Sequence, residues 1–319
     1  MEIATRSIYT AVLLAGFMWA TRNNVHADMF GASGNEFTID FLGVGHEGNS
    51  PDPSTGYGAV PYSYRIGSYE IAKDAITKAT ASGMSNVPSG GGAAGGPAST
   101  ILWYQAAAFV NWLNTSTGRP AAYNLSFSGS WSMSLWSSGD AWQAGGENLY
   151  RHKDAHYFLP SEDEWYKAAY YNPSGSSYFL YPTGSDTAPT VVTSGTTPGT
   201  AVYAPDAPDF FIAGAAGVAN AGGLSPYGTM GQGGNLWEWC ETALDGSNSS
   251  PSEERVMRGG GFGDTEEALR SSYRGSGRMV DGNIGLGFRV ASVPEPSICA
   301  LVMIGTGILY AWKRSKHPA

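Results

Sequence analysis

With 319 residues, 42% of them apolar, the chain is long enough for one large domain or two small ones and has the material for a core. Only 14% of residues are charged, against 44 glycines and 13% aromatics, a mixture that suits a loop-rich globular fold better than a helical bundle or a disordered tail. The formal charge of -9 is scattered along the chain and supplies no basic footprint, which argues against nucleic acid as a partner.

Residues 1–27 have the layout of a secretory signal: Arg6 at the start, an apolar run from Ile8 to Ala20, and Val25-His26-Ala27 with small residues at the cleavage positions. A first core helix is the alternative reading. From Phe37 to Ile71 the chain is turn-rich and strand-like, with Thr38 to Leu42 and Val60 to Tyr64 flanking a loop through Gly48 and Pro51. Ile71, Ala75, Ile76 and Ala79 fall near helical spacing and predict a helix over 71–81. The Gly/Ala/Ser run from Ser89 to Ser99 is expected to be a flexible loop.

Ala106, Phe109, Val110 and Leu113 at i, i+3, i+4 and i+7 predict a second helix with one buried stripe. A third opens on a capping box, Ser161 with Glu164, carries Trp165, Ala168 and Ala169 on its apolar face, and stops at Asn172-Pro173. Residues 174–225 are poor in charge and rich in turn residues, with room for short strands. At the C-terminus, Val293-Pro294-Glu295-Pro296-Ser297 precedes an apolar stretch from Ile298 to Trp312, then Lys313, Arg314 and Lys316. The stretch is short beside the roughly 20 apolar residues of a usual span, and the basic cluster behind it leaves the body outside the cytoplasm. This tail resembles the PEP-CTERM sorting signal, which implies processing by an exosortase. An unprocessed membrane anchor is the alternative. Either way the protein is expected to be exported, to the cell surface, outer membrane or extracellular matrix, with a body over 28–292 between leader 1–27 and tail 293–319.

There are two cysteines, Cys240 and Cys299, and the second lies in the tail, so the body holds a single thiol and no internal disulfide. Four motifs then occur in order: WYQAAAFVNWL from Trp103 to Leu113, LPSEDEW from Leu159 to Trp165, SPYG from Ser225 running into GNLWEW from Gly234 to Trp239, and Arg258-Gly259-Gly260 closed by Gly287-Phe288-Arg289. The set resembles the sulfatase-modifying factor family, whose formylglycine-generating enzymes oxidise a sulfatase cysteine. The resemblance implies an α+β, C-type-lectin-like fold: irregular chain around twisted antiparallel strands and a few short helices. The segment from Gly43 to Tyr64 resembles a branch of the family that often carries PEP-CTERM tails.

That family's chemistry uses copper held by two thiolates, soft ligands that suit Cu(I). Here the stretch after Arg-Gly-Gly reads Gly261 to Arg270 without a cysteine; by position Asp264 stands at the first thiolate, Leu269 near the second, and Gly261 where the family has serine. No copper is therefore expected. The family's structural Ca2+ is held by the Gly-Asn-x-Trp-Glu-Trp segment, which maps onto Gly234, Asn235, Leu236 and Glu238. In an extended chain Glu238 would point away from Trp237 and Trp239, toward an ion; the alternative is a glutamate that caps local backbone or pairs with an arginine. More distant relatives use a histidine-ligated iron; His152 and His156 are the candidates, with a surface loop as the bland alternative. Arg258 and Arg289 read as structural arginines paired with carboxylates. Asp264, Glu266 and Glu267 form an acidic cluster that could bind a cation or a basic partner, with a solvated turn as the bland alternative.

The sequence argues for a non-oxidising binding module, with extracellular polysaccharide or a surface protein as partner and Trp131, Trp136 and Trp142 as candidates to stack on sugars. Two alternatives stay open: an enzyme with different chemistry in the same cleft, using Asp264 and a hard metal, or formylglycine generation itself.

Overall fold

Strands β1 (Val25–Phe30), β2 (Phe37–Val44) and β3 (Tyr64–Gly67) run antiparallel in chain order and open the larger sheet. They belong to a computed structural model that describes residues 25–204, 214–282 and 285–294. The leader through residue 24 and the tail beyond Pro294 lie outside the described residues. β2 shows why a strand forms here: Phe37, Ile39 and Phe41 enter the main core while Thr38 and Asp40 face outward. Val44, an odd number of residues further on, faces a second core on the other side of the sheet. The expected cleavage after Ala27 falls inside β1, where Val25 to Ala27 pair with Leu42 to Asp40. Those three residues are exposed on an edge strand, so the cut would leave the anchoring residue Asp28 in place.

Helix α1 (Lys73–Ala81) begins two residues later than its apolar spacing suggested and buries Ala75, Ile76 and Ala79. The stretch from Ser89 to Ser99 is not a loose loop: Gly91 N–H donates to Ser99 O at 2.8 Å, Ala98 N–H donates to Ile71 O at 2.8 Å, and Pro97 to Ser99 are buried. The small residues let two chain segments lie against each other, which composition alone reads as looseness. In α2 (Trp103–Ser116) the whole predicted stripe of Ala106, Phe109, Val110 and Leu113 is buried. Two hairpin-like pairs follow, β4 (Asn124–Phe127) with β5 (Trp131–Ser134) and β6 (Ala141–Trp142) with β7 (Asn148–His152).

β8 (Tyr157–Phe158) leads into α3 (Glu162–Tyr170), where Ser161 Oγ accepts from Glu164 N–H and Glu164 Oε2 accepts from Ser161 N–H at 2.6 Å, the predicted capping box. Short pairs fill the low-charge region: β9 (Tyr171–Asn172) with β10 (Ser177–Tyr178), and β11 (Thr190–Val191) with β12 (Thr200–Ala201). The second sheet has the order β15-β14-β13-β16, from β13 (Trp237–Ala243), β14 (Arg255–Arg258), β15 (Gly275–Gly277) and β16 (Leu286–Gly287). The last strand, β17 (Ala291–Ser292), inserts between β3 and β8, completing the first sheet in the order β1-β2-β3-β17-β8. The architecture is α+β, with few helices and mostly antiparallel strands. Among the described residues no helix is long and apolar enough to cross a membrane.

Candidate functional site

β13 carries GNLWEW into the centre of the molecule. Its backbone can turn there only because Gly234 takes φ +80°: a Cβ would sit 2.1 Å from the Val202 carbonyl oxygen. Trp239 is fully buried in the main core, and Glu238, on the opposite face of the strand, is equally buried. Its carboxylate is gripped by Arg289, through Nε at 2.6 Å and Nη2 at 2.5 Å, and accepts from Trp165 Nε1 at 2.8 Å. Arg289 also donates to Gly67 O and Met230 O. One bidentate pair thus ties β13 to the end of β3 and to the segment before GNLWEW.

Two more such units flank it. Arg258 donates through Nε to Glu162 at 2.8 Å and through Nη1 to Ser271 O and Tyr273 O, while Arg274 grips the same Glu162 from the other side. Arg151 lies between Glu164 and Glu241, both fully buried. Burial works against the Arg151 charge, but Glu164 and Glu241 outweigh it and hold the guanidinium well above its ordinary value. Burial pushes the Glu164 pKa up as well, yet Arg151 beside it brings it below the usual carboxylate range. For Glu241, burial prevails over the same arginine and pushes the pKa up. One cation is shared between two acids, and one of the acids bears the deficit.

The loop after Arg258 is where the expected thiolates are replaced. Asp264 Oδ2 accepts from Trp237 Nε1 at 2.7 Å and from Gly261 N–H at 2.8 Å, so the carboxylate pins its own loop to β13. Leu269 is fully buried in a cluster with Tyr181, Ala201, Tyr203 and Ala268. Glu266 and Glu267 lie in a short 3₁₀ turn (Glu266–Leu269), where Glu267 is tied to the Thr265 hydroxyl. Cys240 is buried beside Glu162 and Arg258, and burial pushes its thiol well above the ordinary range, the reverse of a reactive thiolate.

The calcium set fares poorly as a set of ligands. Glu238, its only charged member, has both oxygens engaged by Arg289 and Trp165. The Asn235 side chain is spent on Glu70, at 2.5 Å, and on Ala216 N–H, and Asn235 O accepts from Phe262 N–H. A cation drawing on Glu238 would sit beside a guanidinium, so these residues do not fit Ca2+ as placed. The histidines have separate surroundings: His152 packs edge-on to Trp136, whereas His156 is buried with Nε2 at 3.2 Å from Arg65 Nη2. Among the described residues no group of three or more His, Cys, Asp or Glu is placed to hold a metal ion.

Sequence reasoning missed Glu70. It is buried, accepts from Asn235 Nδ2 and Leu236 N–H, and is pushed well above the carboxylate range by burial and by Glu238, against Arg289. A lone acid between Tyr69 and Ile71 carries no local mark of burial. Of the candidate tryptophans, Trp136 donates to Ala122 O and Trp142 to Ala144 O, while Trp131 lines a surface groove with Trp112, which sequence reasoning had placed only within a helix motif. Trp112 lies three residues after Phe109 and one before Leu113, at the edge of the buried stripe, the one signal that could have flagged it.

Fold and site together define an α+β domain of the C-type-lectin-like class, in which buried arginine–carboxylate pairs hold irregular chain. The chain belongs to the sulfatase-modifying factor enzyme 1-like domain family, which its residues 44–293 match. Similar solved structures include variable protein 1 of Treponema denticola, at 20% identity over 84% of this chain and 99% of that one with a TM-score of 0.55. CarF matches at 18% identity over 81% and 99% of the two chains (TM-score 0.54), and PvdO of Pseudomonas aeruginosa at 16% over 84% and 98% (TM-score 0.50). At these identities the likeness is one of fold. No curated protein matches the chain in sequence.

Proposed function

We propose that the protein is an exported, surface- or matrix-associated member of its family that binds rather than oxidises. Its leader 1–27 directs export, and its tail 293–319 acts as an exosortase-processed sorting signal. Extracellular polysaccharide or a surface protein is the partner. The observation that carries the reading is the pair of replacements at the thiolate positions. Asp264 is a hard oxygen donor already committed to Trp237 and Gly261, and Leu269 is core. Soft Cu(I) would find neither thiolate there, and the lone body thiol, Cys240, is sealed elsewhere. Calcium at Gly234, Asn235, Leu236 and Glu238 forms no part of the reading, because Arg289 already balances Glu238.

The test is incubation of the purified body, residues 28–292, with copper, O2 and a sulfatase-type cysteine peptide. No aldehyde is expected by mass spectrometry, and no tight Cu(I) binding in competition with a chromogenic chelator. Formylglycine on the peptide would overturn the reading.

A further inference from the structure

Trp112 and Trp131 stand apart from the other tryptophans. Every other tryptophan among the described residues donates its indole N–H: Trp103 to Cys240 O, Trp136 to Ala122 O, Trp142 to Ala144 O, Trp165 to Glu238, Trp237 to Asp264, and Trp239 to Ile101 O. Trp112 and Trp131 donate to nothing described, and both are partly exposed. They line the same surface. Trp112 and Thr115 line both a cavity of about 420 Å³, walled also by Met29 to Ala32 and the end of α2, and one of about 260 Å³ whose wall includes Trp131, Phe127 and Leu125.

Both rings are braced by other aromatic rings. Trp112 lies 6.1 Å from Phe37 at 16° and 6.4 Å from Phe109; Trp131 lies 6.5 Å from Tyr104 at 14° and 4.9 Å from its cross-strand partner Phe127. Around them are hydroxyls that can accept and, in part, donate. Thr115 Oγ1 donates to Asn111 O at 3.0 Å, and the Ser126 and Ser132 hydroxyls pair at 2.7 Å. Among the described residues no charged side chain lines either cavity, in a chain of formal charge -9.

Rigid ring faces, two unspent N–H donors, neutral oxygen acceptors and no charge are complementary to a ligand with apolar C–H faces and a rim of hydroxyls. We infer that this groove, across α2 and the β4–β5 hairpin, binds a neutral glycan, with sugar rings packed on Trp112 and Trp131 and their hydroxyls accepting from the indoles. Aromatic and methionine side chains suit a protein interface as well; the serine, threonine and asparagine rim around Trp112 and Trp131 is what favours a sugar. The absence of charge disfavours uronate or sulfate polymers, which would leave an anion unpaired. The inference rests on the binding-module reading and names its partner class, and it requires no metal.

Affinity electrophoresis of the purified full chain in gels containing a neutral β-glucan, mannan or galactan tests it, with hyaluronan as the charged control. At least one neutral polymer is expected to retard the protein, equally in EDTA, and Trp131→Ala and Thr115→Arg are expected to weaken that binding at least tenfold. Thr115 is exposed in the last turn of α2, where a cation suits the helix end, so Thr115→Arg blocks the groove without touching the core. Retardation by hyaluronan alone, no retardation by any neutral polymer, loss of binding in EDTA, or undiminished binding by Thr115→Arg would each overturn the site. So would a dimer that Thr115→Arg disperses, which would mean that a second copy covers the groove. The aldehyde assay is independent of all these outcomes, so failure here and failure of the non-oxidising reading are separable.

Discussion

Asp163 shows how a single half-buried acid writes itself into the pH dependence of the fold. Its Oδ1 accepts from Gly58 N–H at 2.7 Å, which docks the Gly43–Tyr64 segment on α3. Burial pushes its pKa up to about 6 against the Gly58 bond, with Glu162 and Glu164 adding to the push and Arg258 opposing it. A carboxyl raised above its unfolded value keeps a proton that the unfolded chain has released. Its contribution to stability is therefore present below about pH 4 and is lost as pH rises to about 6, a loss on the order of 3 kcal/mol. Asp163→Asn keeps an oxygen for Gly58 but cannot ionise. In urea titrations it is expected to match the wild type at pH 4 and to be the more stable by roughly 1–3 kcal/mol at pH 7, after losing a favourable helix-start charge. Parallel stability curves for the two proteins would disprove this.

At the scale of elements, the helices were the readable part. The α2 stripe and the α3 capping box are local patterns, with partners no more than seven residues apart, and both are present in the structure. What the capping box did not reveal is that Glu164 serves twice. It caps α3 and, through both oxygens, holds Arg151 between itself and Glu241. Ser161→Ala should therefore cost about 1 kcal/mol, the usual worth of a cap. Glu164→Ala should cost more, about 2–4 kcal/mol, because besides the cap it removes the acceptor of Arg151 Nη1 and of the Tyr62 hydroxyl, while Glu241 keeps the guanidinium paired. Equal costs in chemical denaturation would show that these two bonds add nothing to the cap. The Ser89–Ser99 segment is the opposite case: its small residues read as slack, and only the partner strand of chain at Ile71 and Ser99 makes them a close crossing.

For the whole molecule, β17 sits between β3 and β8, so the final strand of the domain locks strands drawn from the beginning and the middle of the chain. The arginine–carboxylate units do the same in the interior, and they bear on calcium. With Glu238 balanced by Arg289, the fold has its own cation where the family resemblance puts an ion. The melting temperature of the body is expected to shift by less than about 1 °C between excess EDTA and millimolar calcium, since a ligand stabilises only what it binds. A drop of several degrees in chelator would restore the calcium site.

The order of motifs, the missing second thiol and the helix faces were set by the sequence itself, because each depends on residue identity or on neighbours a few positions apart. Which glutamate faces which arginine, that Glu70 is buried at all, and that Trp112 and Trp131 border one uncharged groove were decided only by tertiary structure. Those pairings join residues far apart in the chain, 165 and 166 positions for Glu70 with Asn235 and Leu236. A buried charge is stable only where folding brings its counter-charge, and no local pattern encodes that meeting.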